Sequence, residues 1–171
     1  MWEPGQSSGV TSIQYTIGML AQVPYGDRML AIVLLGTPQL LADGALLELP
    51  RRRSRALIYY LAAQPAPVAR EQLLGLLWPD HERSAAQQIL RTTLHGVRRA
   101  LGSALMGDDA LSIALEVDVD YRQLAAAVGA PDTGEAALAA ALARHRGELL
   151  AGFTLPDAEP FEAWLARCTS G

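Results

Sequence analysis

The sequence predicts an α+β fold: a small antiparallel sheet, three helices and a two-stranded hairpin, followed by further helices. Met29 to Leu35 is an unbroken apolar run of strand length. Three stretches between residues 53 and 101 repeat their apolar side chains at helical spacing, and residues 111–117 alternate apolar with polar ones. With 50% hydrophobic and 19% charged residues among 171, the chain has ample material for a packed core.

The elements follow in order. Residues 1–28, first rich in Gly, Ser, Pro and Gln, read as a poorly ordered leader with one short strand. The strand from Met29 stops at Gly36-Thr37-Pro38. Residues 39–42 and 45–49 flank Asp43-Gly44, a pair suited to the left-handed dihedrals of a tight hairpin turn. The first helix covers residues 53–63, with Leu57, Ile58 and Leu61 on one face, and ends before Pro65. The second covers residues 70–78, carries Leu73, Leu74, Leu77 and Trp78, and ends at Pro79. The third covers residues 84–101, opened by Ser84 and Gln87 at capping-box spacing and closed by Gly102. Residues 104–106 and 111–117 form a hairpin around Gly107-Asp108-Asp109. Strands, three helices and a hairpin in that order make a winged helix-turn-helix.

The remainder is Ala-rich and helical, at residues 120–128, 134–150 and 161–167. Its last helix carries Phe161, Trp164 and Leu165 with no later partner in the sequence, so exposed aromatics in an incomplete helical domain are expected. The domain reading is therefore a leader at 1–28, a winged helix at 29–118 and the start of a helical domain at 119–171.

All 14 basic residues are Arg, so every positive charge is a planar fork able to grip phosphate or guanine bidentately. The net charge of −4 is unevenly spread. Residues 1–50 hold one Arg and four acids, residues 51–100 nine Arg and three acids, and residues 101–171 four Arg and eleven acids. The sums are −3, +6 and −7. A basic block between acidic ones fits a DNA-contacting module joined to something else, and it also fits a solvated Arg-rich face.

On a helical wheel of the third helix, Ala86, Leu90, Leu94, Val97 and Leu101 form one seam. The opposite face carries Gln88, Arg91, Thr92, His95 and Arg99, with Arg98 on its flank. Arg can bridge guanine O6 and N7, Gln can bridge adenine N6 and N7, and the major groove admits a helix. Alone, such a face reads first as that of an ordinary wet amphipathic helix. Its place after a short helix and before a hairpin favours DNA reading. Arg51, Arg52, Arg53 and Arg55 lead into the first helix, where cations oppose the macrodipole. They are candidate phosphate contacts or simply charge at a helix start.

These residues carry a family resemblance. The run from Pro50 to Ala62, Leu76-Leu77-Trp78-Pro79-Asp80 with Arg70-Glu71 before it, and the run from Leu90 to Gly102 are similar to activators of the antibiotic-regulatory-protein (SARP) type. Leu150-Ala151-Gly152-Phe153, Leu155-Pro156-Asp157 and Phe161-Glu162-Ala163-Trp164-Leu165 resemble the start of the bacterial transcriptional activation domain that follows in that family. The resemblance covers about residues 29–167. It implies an OmpR-like winged helix reading double-stranded DNA, TPR-like helices that contact protein partners, and recruitment of RNA polymerase. Position 53 is Arg where the family often has Lys, and the wing at 103–117 has Asp108, Asp109 and Glu116 but no Arg. Wing–phosphate contacts are thus not implied by this chain.

The sequence shows no phosphate-cradling Gly-rich motif, no Gly-x-Ser-x-Gly and no His-Glu-x-x-His. His81, His95 and His145 lack metal spacing, and Asp118 and Asp120 read as a helix start rather than a catalytic pair. No enzyme, cofactor or metal is expected. The single Cys168 excludes an internal disulfide framework, and no apolar run reaches membrane-spanning length. The N-terminus lacks the basic stretch of a secretory signal, so a cytoplasmic protein is expected. The functional expectation is a sequence-specific transcriptional activator, with a homo-oligomer as one way to cover the last helix. The alternative is a protein-interaction module on the same scaffold.

Overall fold

A computed structural model of the chain describes residues 23–25, 28–107, 112–129, 135–136, 139 and 147–170. The chain is α+β. Its first sheet contains β1 (Val23–Tyr25), β2 (Arg28–Val33), β3 (Gln39–Ala42) and β4 (Ala45–Leu46) in that order. The turn between β3 and β4 has φ of 52° at Asp43 and 79° at Gly44, the left-handed pair that Asp-Gly supplies at little cost. A fifth strand, β8 (Asp118–Val119), runs parallel to β2. It takes Ala31 and Ile32 on the edge whose earlier residues pair with β1, while β3 occupies the opposite edge. Two-residue strands have no periodicity to read, so β8 was not expected.

Three helices follow the first hairpin: α1 (Arg52–Ala63), α2 (Arg70–Leu77) and α3 (Arg83–Leu101). Gln64, which precedes Pro65, is extended and ends α1, and Gly102 ends α3 at φ 59°. The start of α3 corrects the expectation. Glu82 is the N-cap, its carboxylate accepting from the Ser84 backbone N–H at 3.0 Å and from the Ser84 hydroxyl. Ser84 therefore stands inside the helix, at its second position rather than at the cap, so the Ser84–Gln87 capping box does not form.

Antiparallel β6 (Leu105–Met106) and β7 (Ser112–Leu115) make the expected hairpin after α3. Asp108 and Asp109 lie outside the described residues. An unexpected strand, β5 (Val68–Ala69) between α1 and α2, adds to β7 and completes a three-stranded sheet.

Asp118 and Asp120 do lead into a helix, α4 (Asp120–Gly129). The helix expected at 134–150 falls mostly outside the described residues, but residues 147–150 are not helical. There Gly36 N–H donates to the Glu148 carbonyl at 2.9 Å, Leu150 N–H donates to the Leu34 carbonyl at 2.8 Å, and Leu35 bridges to Leu149. The extension of β2 captures this segment by backbone pairing.

The last helix, α5 (Glu159–Thr169), lies on α2. Its aromatics overturn the expectation of exposure. Phe161 is fully buried, and the Trp164 ring centroid is 4.8 Å from that of Tyr60 on α1. Phe153 stands edge-on to both Tyr59, at 5.2 Å, and Phe161, at 6.0 Å. The partners missing later in the sequence lie about a hundred residues earlier. One apolar cluster runs from Leu30 through the three central helices to Trp164, across the expected boundary at 118/119. Among the described residues, no helix is long and apolar enough to cross a membrane.

Candidate nucleic-acid interface

The placement of α3 decides which of its side chains are available. Its buried seam is Ala86, Leu90, Thr93, Leu94, Val97 and Leu101, the expected five with Thr93 added. Thr93 is tolerated there because its hydroxyl donates to the Ile89 carbonyl at 2.8 Å. Gln88, Arg91, Thr92, His95 and Arg99 are all exposed, on one strip. Arg91 donates to the Gln88 side-chain carbonyl at 3.4 Å, a long contact between two exposed surface groups. The Thr92 hydroxyl donates to the Gln88 backbone carbonyl at 3.1 Å, which leaves its methyl group and its acceptor capacity outward.

Arg98 stands apart from that strip. It is half-buried, and its guanidinium donates to the Gly107 carbonyl at 2.6 Å. It ties α3 to the point where the chain leaves β6 for the loop of the β6–β7 hairpin. As placed, it positions the hairpin relative to the helix.

The four candidate phosphate contacts are also divided. Arg51 faces α3 across a cavity of about 340 Å³ shared with Thr92, His95 and Arg99. Arg51, Arg52 and Arg53 line a second groove, of about 480 Å³, with Trp78, Thr93 and the Leu155–Asp157 turn. There Arg53 donates to the Asp157 carbonyl at 3.3 Å. Arg55 lines a different cavity, of about 360 Å³, against Leu46, Glu48 and Tyr59. Burial pushes the Tyr59 phenol above its ordinary pKa, and the neighbouring Arg55 charge opposes that rise. Arg55 therefore sits away from the other three.

Three residues at this face escaped sequence reading. Arg70, first residue of α2, shares a cavity of about 200 Å³ with Gln87 and Arg91. Its signal was available, as a cation at the start of the helix preceding α3. Gly96 lines the groove between Arg51 and His95, and Asp157 borders the groove of Arg51–Arg53. Helical spacing puts Gly96 beside Thr92 and Arg99, but it carries no side chain to read, and Asp157 lies in a turn that has no period. The Arg83–Glu71 ion pair at 2.8 Å spans the turn between α2 and α3 but is solvent-exposed, so it adds little stability. Among the described residues, no three metal-ligating side chains converge.

The fold has a solved counterpart. The chain is similar to Mycobacterium tuberculosis EmbR, solved in complex with a low-affinity phosphopeptide, with a TM-score of 0.63 and 23% identity. The match covers 82% of this chain and 42% of that one, so the chain spans less than half of EmbR. At this identity the likeness is one of fold. No protein-family model matches the sequence, and no curated protein does.

Proposed function

We propose that the chain is a sequence-specific DNA-binding transcriptional regulator, an activator, with α3 of a winged helix laid in the major groove. The observation that carries this reading is the exposed strip of Gln88, Arg91, Thr92, His95 and Arg99, flanked by Arg51 across a shared groove. The strip supplies donors and acceptors for base edges, and the Arg51–Arg53 cluster supplies charge for phosphates. The fold likeness to EmbR, a SARP-family regulator, supports it at the level of class. In this reading residues 29–118 are the OmpR-like DNA-binding unit. Residues 119–171 begin a TPR-like activation domain that contacts RNA polymerase or another protein, in the cytoplasm. The hairpin β6–β7 is the wing, braced by Arg98.

Recognition helices of this kind use their N-terminal half for bases. Arg91→Ala is therefore expected to relax sequence preference, losing about 1–3 kcal/mol of discrimination at one base pair. Arg99→Ala should weaken all sequences about equally and flatten the slope of log affinity against log salt by about one contact. Leu94→Ala is the folding control, since emptying the buried seam costs about 2–5 kcal/mol. The measurement is a gel-shift titration on duplexes selected from a random pool, at two salt concentrations. If both Arg variants are folded and bind like the parent, the protein-interaction reading replaces this one.

A further inference from the structure

We propose that the groove between the N-terminal end of α1 and the Leu155–Asp157 turn seats one phosphodiester of the bound duplex, which draws Arg53 off the Asp157 carbonyl. DNA occupancy is thereby coupled to the C-terminal segment. The inference rests on the DNA-binding reading above and extends the interface beyond the winged helix.

The α1 end of the groove is electrostatically unfinished. Arg51 is the N-cap without any side-chain cap, and no acid stands in the first turn. The first N–H groups of a helix have no intrahelical acceptor, and its dipole is positive at that end. Arg51, Arg52 and Arg53 add three cations where an isolated helix would favour acids. An anion in the groove satisfies all of these at once.

Trp78 is an independent sign of a missing acceptor. It is 2% exposed, lines the same groove, and its indole Nε1 has no hydrogen-bond partner. An indole N–H can only donate, and buried donors are rarely left unpaired. The Nε1 itself is closed to a water-sized probe, so an acceptor in the groove of about 480 Å³ reaches it only when the side chains that line the groove shift.

The opposite wall is fixed in place. Leu155 N–H donates to the Glu162 carboxylate, Ala158 N–H to the Leu155 carbonyl at 3.0 Å, and both Leu155 and Ala158 are buried. The Arg53 bond to the Asp157 carbonyl is long, at 3.3 Å, and its acceptor is neutral. A phosphate oxygen is a charged acceptor at shorter range and so the stronger partner for a guanidinium. The Asp157 carboxylate, exposed on the rim and without an ion pair among the described residues, repels the same phosphate. Arg51 lines both this groove and the one beside His95 and Arg99, so the seat adjoins the reading strip.

The test uses the full chain and a mixed-sequence duplex of about three helical turns. Fluorescence anisotropy at about 50 and 200 mM salt should show Asp157→Asn binding severalfold more tightly at the lower salt and less so at the higher, where charge is screened. Arg53→Ala should flatten the salt slope by about one contact. Duplex addition should shift the Trp78 indole N–H resonance, assigned with Trp78→Phe. It should also alter hydrogen exchange at the Ala158 and Phe161 amides in the parent but not in Arg53→Ala. A duplex that binds while the indole resonance and these amides stay unmoved overturns the seat and leaves the DNA-binding reading standing. Asp157→Asn and Arg53→Ala both binding with the parent's affinity and slope do the same. No binding by the parent at either salt sinks the DNA-binding reading, and the seat with it.

Discussion

The Asp120 carboxylate, on a residue only 4% exposed, accepts three backbone N–H groups: Leu34 at 2.8 Å, Leu35 at 3.0 Å and Tyr121 at 2.7 Å. It joins the end of β2 to the start of α4 across 86 positions of sequence. Asp120→Ala strands buried donors on both elements, and the expected cost is about 3 kcal/mol in urea unfolding. Asp120→Asn keeps one acceptor oxygen and should lie between that variant and the parent. A loss below half a kilocalorie would mean that water replaces the carboxylate. The spacing of Asp118 and Asp120 marked a helix start, and α4 begins there. Nothing local marked the reach to Leu34, because a carboxylate that caps its own helix and one that also pins a distant strand leave the same sequence signal.

The start of α3 shows how an element can be legible while its boundary is not. Helical periodicity gave the seam from Ala86 to Leu101, since burial imposes it. The cap was chosen by geometry, and Glu82 won over Ser84 by reaching two residues forward. The Ser84 hydroxyl, then the Ser84 N–H, hold the Glu82 carboxyl below its ordinary pKa. A lowered folded-state pKa gives stability that is present above the unfolded value and lost as pH falls through the folded one. Glu82→Gln should therefore be less stable than the parent at neutral pH. The gap should close as pH drops below about 4, where the parent's carboxyl is protonated too. A gap independent of pH would show that charge has no part in the cap.

Two glycines stand in the interiors of α2 and α3. Gly75 and Gly96 are exposed in α2 and α3, and a Cβ added at either meets nothing within 4 Å. Each change to Ala should raise stability by about 1 kcal/mol, measured by urea titration. Gly75→Ala should leave DNA affinity alone. Gly96→Ala puts a methyl into the groove between Arg51 and His95 and should weaken binding while stabilising the fold. Equal affinities for the two variants would remove that groove from the interface.

For the whole molecule, the order of elements was readable because each helix and the long strands carry a period, while the docking of the C-terminal segment was not. Phe161 and Trp164 looked unpartnered in sequence, yet their rings fill space beside Tyr60 and Phe153, and α5 lies on α2. Arg122 makes a second tie, donating to the Leu61 carbonyl at the end of α1 at 2.7 Å and to the Leu115 carbonyl of β7 at 3.1 Å. The winged-helix unit as drawn from sequence, residues 29–118, therefore leaves part of its own core behind. Cutting the chain after residue 118 should expose the faces of α1 and α2 that α5 covers. The shortened protein should unfold at lower urea, over a broader transition, and bind a hydrophobic dye in the absence of denaturant. Phe161→Ala in the full chain removes one fully buried ring from the same place and should cost about 3–5 kcal/mol. If the shortened protein unfolds at the parent's midpoint with the parent's cooperativity, the segment is an appendage. The wall it lends to the Arg51–Arg53 groove would then be incidental to the fold.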